Sequence, residues 1–120
     1  MKMEPSQTSA RSSHTLRRGD IWLVNLDPVV GSEIQKTRPC VVISPPEMHD
    51  YLRTAIIAPM TTGSHPAPFR SAVHYAGKDG LILLDQLRAI DKTRLVKRAG
   101  VLPQETLSDV LETLGEVFSQ

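Results

Sequence analysis

The chain has 120 residues, enough for one domain around one hydrophobic core. Its 40% hydrophobic and 22% charged residues are ordinary globular values, and a formal charge of +1 excludes recognition by bulk charge. One cysteine excludes an intramolecular disulfide and a multi-thiolate metal site, and 4% aromatics argue against rows of stacked rings as a nucleic-acid surface.

Residues 1–16 are rich in Ser and Thr and lack both a hydrophobic period and an apolar signal core, so a flexible tail is expected there. A single domain is expected over 17–120. No run is long and apolar enough to span a bilayer, and with the lone cysteine this makes a cytoplasmic protein the expectation.

Gly19-Asp20 opens the run Ile21–Leu26, dense in β-formers and predicted as a strand that Asp27-Pro28 ends. Cys40–Ser44 is the second strand, stopped by Pro45-Pro46. Thr54–Ala58 is the third, stopped by Pro59. Thr61–Phe69 holds Gly63, Pro66 and Pro68 and reads as loop. Ser71–Tyr75 is a weaker strand. Gly80 introduces a buried strand, Leu81–Leu84, which Gln86–Ile90 continues beyond a bend at Asp85. Asp91–Arg94 fits one helical turn capped by Asp91. Leu107, Val110, Leu111, Leu114, Val117 and Phe118 then recur at helical spacing, one apolar stripe on a helix that Pro103 can open. Short strands and one closing helix imply a small, strongly bent sheet or barrel with the helix packed on it.

Three polar clusters are candidates for chemistry. In the stretch Gly31–Pro39, Glu33, Lys36 and Arg38 fall on a loop, and Pro39 pushes Arg38 into an extended conformation. Such an arginine can aim a planar, permanently charged fork at a phosphate; it is equally a solvated loop charge. Met60-Thr61-Thr62-Gly63 places hydroxyls at a strand end, either to donate to phosphate oxygens or to satisfy a turn. Leu84–Arg88 either lines a cleft or marks a strand bend with Asp85 bonded to backbone amides. His14, His49, His65 and His74 lack metal-ligand spacing and read as surface or loop residues. Trp22 reads as a core or interface ring, and Cys40 as a small buried strand residue. There is no phosphate-binding glycine motif and no Ser-His-Asp pattern.

Arg18–Val24, Asp27-Pro28, Gly31-Ser32-Glu33 and Arg38-Pro39 together resemble the opening of MazF/PemK-family toxins. The likeness continues, in order, through Ala55–Thr61 and Asp85–Asp91, and covers roughly Leu16 to Phe118. The resemblance implies a mainly β fold with α, an SH3-like curved β-barrel with a C-terminal helix, of the CcdB/MazF-like kind. It implies a homodimeric, metal-independent endoribonuclease that cuts single-stranded RNA at preferred sequences, uses no cofactor, and is blocked by a cognate antitoxin. It makes Arg38 and Thr61 the catalytic pair; Ser32, Glu33, Lys36, Thr37, Thr62 and Gln86 are then the candidates to contact the RNA, with Glu33 the nearby carboxylate. Many relatives carry Gln after the Gly-Ser-Glu and Gly before the Arg-Pro; here those places hold Ile34 and Lys36-Thr37. PemK-type members also use an Arg two residues before the Asp of the Asp-Gln pair, where this chain has Leu83. Two alternatives share these features: a CcdB-like toxin that acts on a protein target, and a non-catalytic RNA-binding regulator.

Overall fold

The computed structural model describes residues 16–26, 37–63 and 65–120. The β-forming runs become strands β1 (Asp20–Asn25), β2 (Thr37–Val42), β3 (Thr54–Thr61), β4 (Arg70–Tyr75), β5 (Lys78–Leu83), β6 (Arg88–Asp91) and β7 (Leu95–Val101). A short helix α1 (Pro46–Tyr51) joins β2 to β3, and α2 (Gln104–Val117) closes the chain. The strands form one antiparallel sheet in the order β4-β5-β3-β2-β1-β7, with β6 added alongside β3. No helix of the described residues is long and apolar enough to cross a membrane.

Alternation along the strands divides the interior in two. Ile21, Val41, Ala58, Met60, Val73 and Ile82 face one side, where Val110 and Leu114 of α2 cover them. Trp22, Val24, Cys40, Val42, Ile57 and Ile90 face the other. A sheet buried on both faces must curl around one of its cores. The β1–β7 ladder slips between Ile21 and Trp22 and again between Leu23 and Val24, and such bulges bend a strand. The result is the expected mostly-β, curled half-barrel with one C-terminal helix.

Several boundaries depart from the sequence reading. The strand from Thr54 does not stop at Pro59 but runs on to Thr61. On one side β3 pairs with β6 as far as Ile57 and with β5 from Met60. Pro59 falls in the gap between these partners, the kind of break where a strand proline is tolerated. Arg38 is likewise in a strand and not on a loop, because β2 begins at Thr37; Pro39 lies beyond the last β2–β3 pair, Cys40–Pro59. Leu95–Val101, which carries Lys97 and Arg98 and alternates poorly, is a strand because β1 pairs it. Asp91 caps the 92–94 turn as expected, accepting from Thr93 N at 2.9 Å. Phe118 ends the helix 74% exposed and leaves the apolar stripe. Leu16, the last residue of the expected tail, is 2% exposed and packs with Trp22 and Val24.

The reading of His49 as a surface or loop residue is corrected: it is buried in α1. Its Nε2 lies 2.7 Å from Ser44 Oγ and its Nδ1 lies 3.1 Å from the Leu16 carbonyl. Ser44 Oγ also accepts the Ile56 N–H at 3.0 Å. These partners assign one tautomer: Nδ1–H donates to Leu16, and Ser44 O–H donates to Nε2. Lys92 Nζ donates to the His49 carbonyl from the other side. Burial, with the Lys92 charge nearby, holds the imidazole below its ordinary value of 6.5. The histidine therefore ties Leu16, the β2 end and the β6–β7 turn together.

Between β4 and β5 the turn is two residues, Ala76 at φ 54° and Gly77 at φ 79°. Both angles are left-handed, as a tight primed hairpin turn requires, and the alanine pays about 1 kcal/mol for its angle. Tyr75 and Lys78 close the hairpin as direct partners.

Candidate active site

The ladder between β2 and β3 runs Val42–Ile57, Val41–Ala58, Cys40–Pro59. Continued by two residues, its register puts Arg38 across from Thr61, each at the open end of its strand. Two hollows meet there and share Arg38, Met60 and Thr61. One, of about 500 Å³, is bordered by Leu26, Pro59, Leu83, Gln86, Leu87 and Arg88. The other, of about 200 Å³, is bordered by Pro39, Thr62, Val73, Tyr75, Lys78 and Gly80.

Arg38 is exposed, and among the described residues it pairs with no carboxylate. Arg88, the last residue of the Leu84–Arg88 cluster, faces the same hollow. It comes from β6, held opposite Ile57 by the β3–β6 ladder. Two guanidinium groups that no described carboxylate pairs, around one concave surface, are the arrangement that suits an anion. Cys40, buried beneath, has its thiol pushed up to about 12 by burial, against the opposing pull of the Arg88 and Arg38 charges. It is an inert strand residue, as expected.

Thr61 is half-buried, and its Oγ1 accepts the Gly63 N–H at 3.2 Å. With that lone pair engaged, the hydroxyl proton is left for an acceptor in the hollow. Its backbone is pinned from below: a Cβ on Gly80 would sit 2.6 Å from the Thr61 carbonyl oxygen. Gly80, which introduces the strand, is also a close-approach glycine under the site.

The remaining candidates divide as follows. Thr37 is exposed on β2 beside Arg38. Thr62 lines the smaller hollow and Gln86 the larger. Ser32, Glu33 and Lys36 lie outside the described residues. Asp85 is engaged elsewhere: Arg70 of β4 clamps it with both Nε, at 3.1 Å, and an Nη, at 3.0 Å. This clamp holds the Asp85 carboxyl below the usual carboxylate range. Arg70 stands opposite Leu83 in the β4–β5 ladder, so a neighbouring strand supplies an arginine to Asp85 where the sequence has leucine. Among the described residues no three His, Cys, Asp or Glu side chains gather as a metal site would need.

A family model described as PemK-like, MazF-like toxin of type II toxin-antitoxin system matches residues 17–118. The chain is 33% identical over 115 residues to Endoribonuclease PemK of Escherichia coli, covering 91% of this chain and 86% of that protein. It is 36% identical over 101 residues to Endoribonuclease MazF of Staphylococcus epidermidis, covering 79% and 84%. Among solved structures, MazF from Deinococcus radiodurans superposes with a TM-score of 0.72 at 24% identity, over 88% of this chain and 97% of that one. A MazE–MazF complex from the same organism gives 0.73 at 24% identity, over 85% and 94%. The half-barrel, its covering helix and the full span of these matches agree: the chain belongs to the PemK-like, MazF-like toxins of type II toxin-antitoxin systems.

Proposed function

We propose that this chain is a metal-independent endoribonuclease, the toxin of a toxin-antitoxin pair, cutting single-stranded RNA through attack of the substrate's own 2′-hydroxyl. The observation that carries the reading is the convergence of Arg38 and Thr61 at the lip shared by two hollows. The 2′-oxygen forms a bond to the adjacent phosphorus and loses its proton. The bond from phosphorus to the 5′-oxygen breaks, and that oxygen gains a proton. The products are a 2′,3′-cyclic phosphate and a 5′-hydroxyl. DNA lacks the nucleophile and binds uncut.

Arg38 clamps the non-bridging oxygens and gains strength as charge accumulates on the phosphorane. It holds its own proton too tightly to serve as general acid near neutral pH. Thr61 directs its hydroxyl to a phosphate oxygen, and Arg88 adds charge from the opposite wall. Glu33 is the carboxylate that the sequence offers as base; Ser32, Lys36, Thr37, Thr62 and Gln86 are the proposed RNA contacts. A cognate antitoxin, a second copy of the chain and a cytoplasmic location complete the reading. Structural relatives have been solved as an endoribonuclease with its cognate antitoxin and as MazE–MazF.

Arg38→Ala and Thr61→Ala are expected to keep the wild-type circular dichroism and to lose about 100- to 1000-fold in cleavage of single-stranded RNA. A chelator is expected to leave the wild-type rate unchanged. Full activity in Arg38→Ala moves the site elsewhere, and gel retardation without fragments by the wild type returns the chain to an RNA-binding regulator.

A further inference from the structure

Of the chain's one Trp, two Tyr and two Phe, only Tyr75 lines either hollow beside Arg38 and Thr61. The Tyr75 ring packs, partly buried, on the core that α2 covers, and Gly100 of β7, which carries no side chain, leaves open the space next to its Cε1. The left-handed angle at Ala76, a conformation that L residues other than glycine rarely adopt, is kept in the turn that sets Tyr75 directly opposite Lys78. The surrounding wall is apolar, from Pro39, Met60 and Val73, while Lys78 is an exposed cation at the rim. At about 200 Å³ the space admits one planar ring.

An aromatic ring packed on the core, apolar walls and a rim cation, continuous with a phosphate clamp, suit a nucleobase whose own phosphate lies outside the wall. We propose that this hollow is a specificity subsite that takes the base on one side of the cut phosphate, stacked on Tyr75, with Lys78 on the neighbouring RNA phosphate. The proposal rests on the ribonuclease reading above. Tyr75 then sets which sequence is cut; Arg38 and Thr61 set that cutting occurs. The site needs no further aromatic, which fits a chain so poor in them.

The test is cleavage of a randomised RNA pool with sequencing of the ends. Wild type and Tyr75→Phe are expected to share one preference at a base flanking the cut. Tyr75→Leu is expected to lose that preference at that position alone, and to lose about 5- to 150-fold in kcat/KM on the preferred sequence, the value of one stacked base. Lys78→Ala is expected to weaken cutting of all sequences alike and to flatten its salt dependence. An unchanged profile in Tyr75→Leu overturns the subsite while leaving the ribonuclease intact; no cutting by wild type overturns both. A measurement on wild type alone covers a Tyr75→Leu protein that does not fold. RNA with a 2′-deoxy sugar at the cut position and 5-iodouracil at each flanking position in turn is irradiated on the protein. Crosslinking to Tyr75 from one position supports the subsite, and its absence from every position overturns it.

Discussion

Ser44→Ala removes one oxygen and leaves the buried His49 Nε2 and the half-buried Ile56 N–H without their partner. In the native chain that hydroxyl accepts the Ile56 N–H at 3.0 Å and stands 2.7 Å from His49 Nε2. Ser44 and His49 are each 2% exposed, so water does not replace it freely. Each orphaned group costs about 1–3 kcal/mol, or about 2–6 kcal/mol together. Against a total stability of about 5–15 kcal/mol, this is a large fraction. At about 4 °C per kcal/mol for a domain of this size, the melting temperature should fall by about 8 °C or more. Neither residue lines the hollows at Arg38, so RNA cleavage at 25 °C is expected to survive in the fraction that remains folded. Thermal unfolding followed by circular dichroism, with cleavage measured beside it, reads both quantities. A shift under about 3 °C would refute the claim that the Ser44 hydroxyl is the partner of both groups.

The same histidine gives the fold a pH dependence. Its folded value lies below 6.5, so on acidification the unfolded chain takes up the proton first, and stability present above pH 6.5 is lost as pH falls further. Urea midpoints between pH 7.5 and 5 should fall in wild type and stay flatter in His49→Asn; parallel curves would remove His49 as the cause. Ala76→Gly relieves a left-handed alanine at φ 54° whose strain of about 1 kcal/mol slightly exceeds glycine's entropy cost, and should raise stability by up to about 0.5 kcal/mol in the same urea assay. A lower midpoint would contradict the strain. Gly80→Ala sets a methyl 2.6 Å from the Thr61 carbonyl oxygen and must displace it. A displacement of about 1 Å at a catalytic group costs about 100-fold in rate, so cleavage should drop that far in a protein that still folds; unchanged kinetics would free Thr61 from Gly80.

What the sequence made legible was whatever local pattern determines. The runs at Ile21, Cys40, Thr54 and Leu81 and the stripe from Leu107 to Val117 announce themselves by period, and they became strands and a helix. What stayed hidden depends on partners distant in the chain. Leu95–Val101 carries charges and a glycine, and only its ladder with β1 makes it a strand. Pro59 looked like a terminator because nothing local says that β3 changes partners there. His49 looked superficial because Ser44 and Leu16 reach it from different parts of the chain. At the site, Arg38 and Thr61 were named from ordered resemblance. Arg88 came only as the end of the ambiguous Leu84–Arg88 cluster, and Tyr75 and Gly80 stayed hidden, because their value lies in register: each matters through what the neighbouring strand sets beside it.

The pairing of β1 with β7 joins Asp20 to Val101, nearly the two ends of the folded chain. Arg38, Thr61 and Arg88 all precede β7, so a chain emerging from the ribosome carries every proposed cutting residue before its sheet can close. Until Leu95–Val101 arrives, β1 keeps one edge open beside the core residues Trp22 and Val24. An open hydrophobic edge is a template for aggregation, and closing a loop this long is slow. Synthesis itself therefore delays completion of the fold to its last stretch. A messenger broken before Leu95 yields a product that is unfinished and adhesive rather than a shorter working toxin.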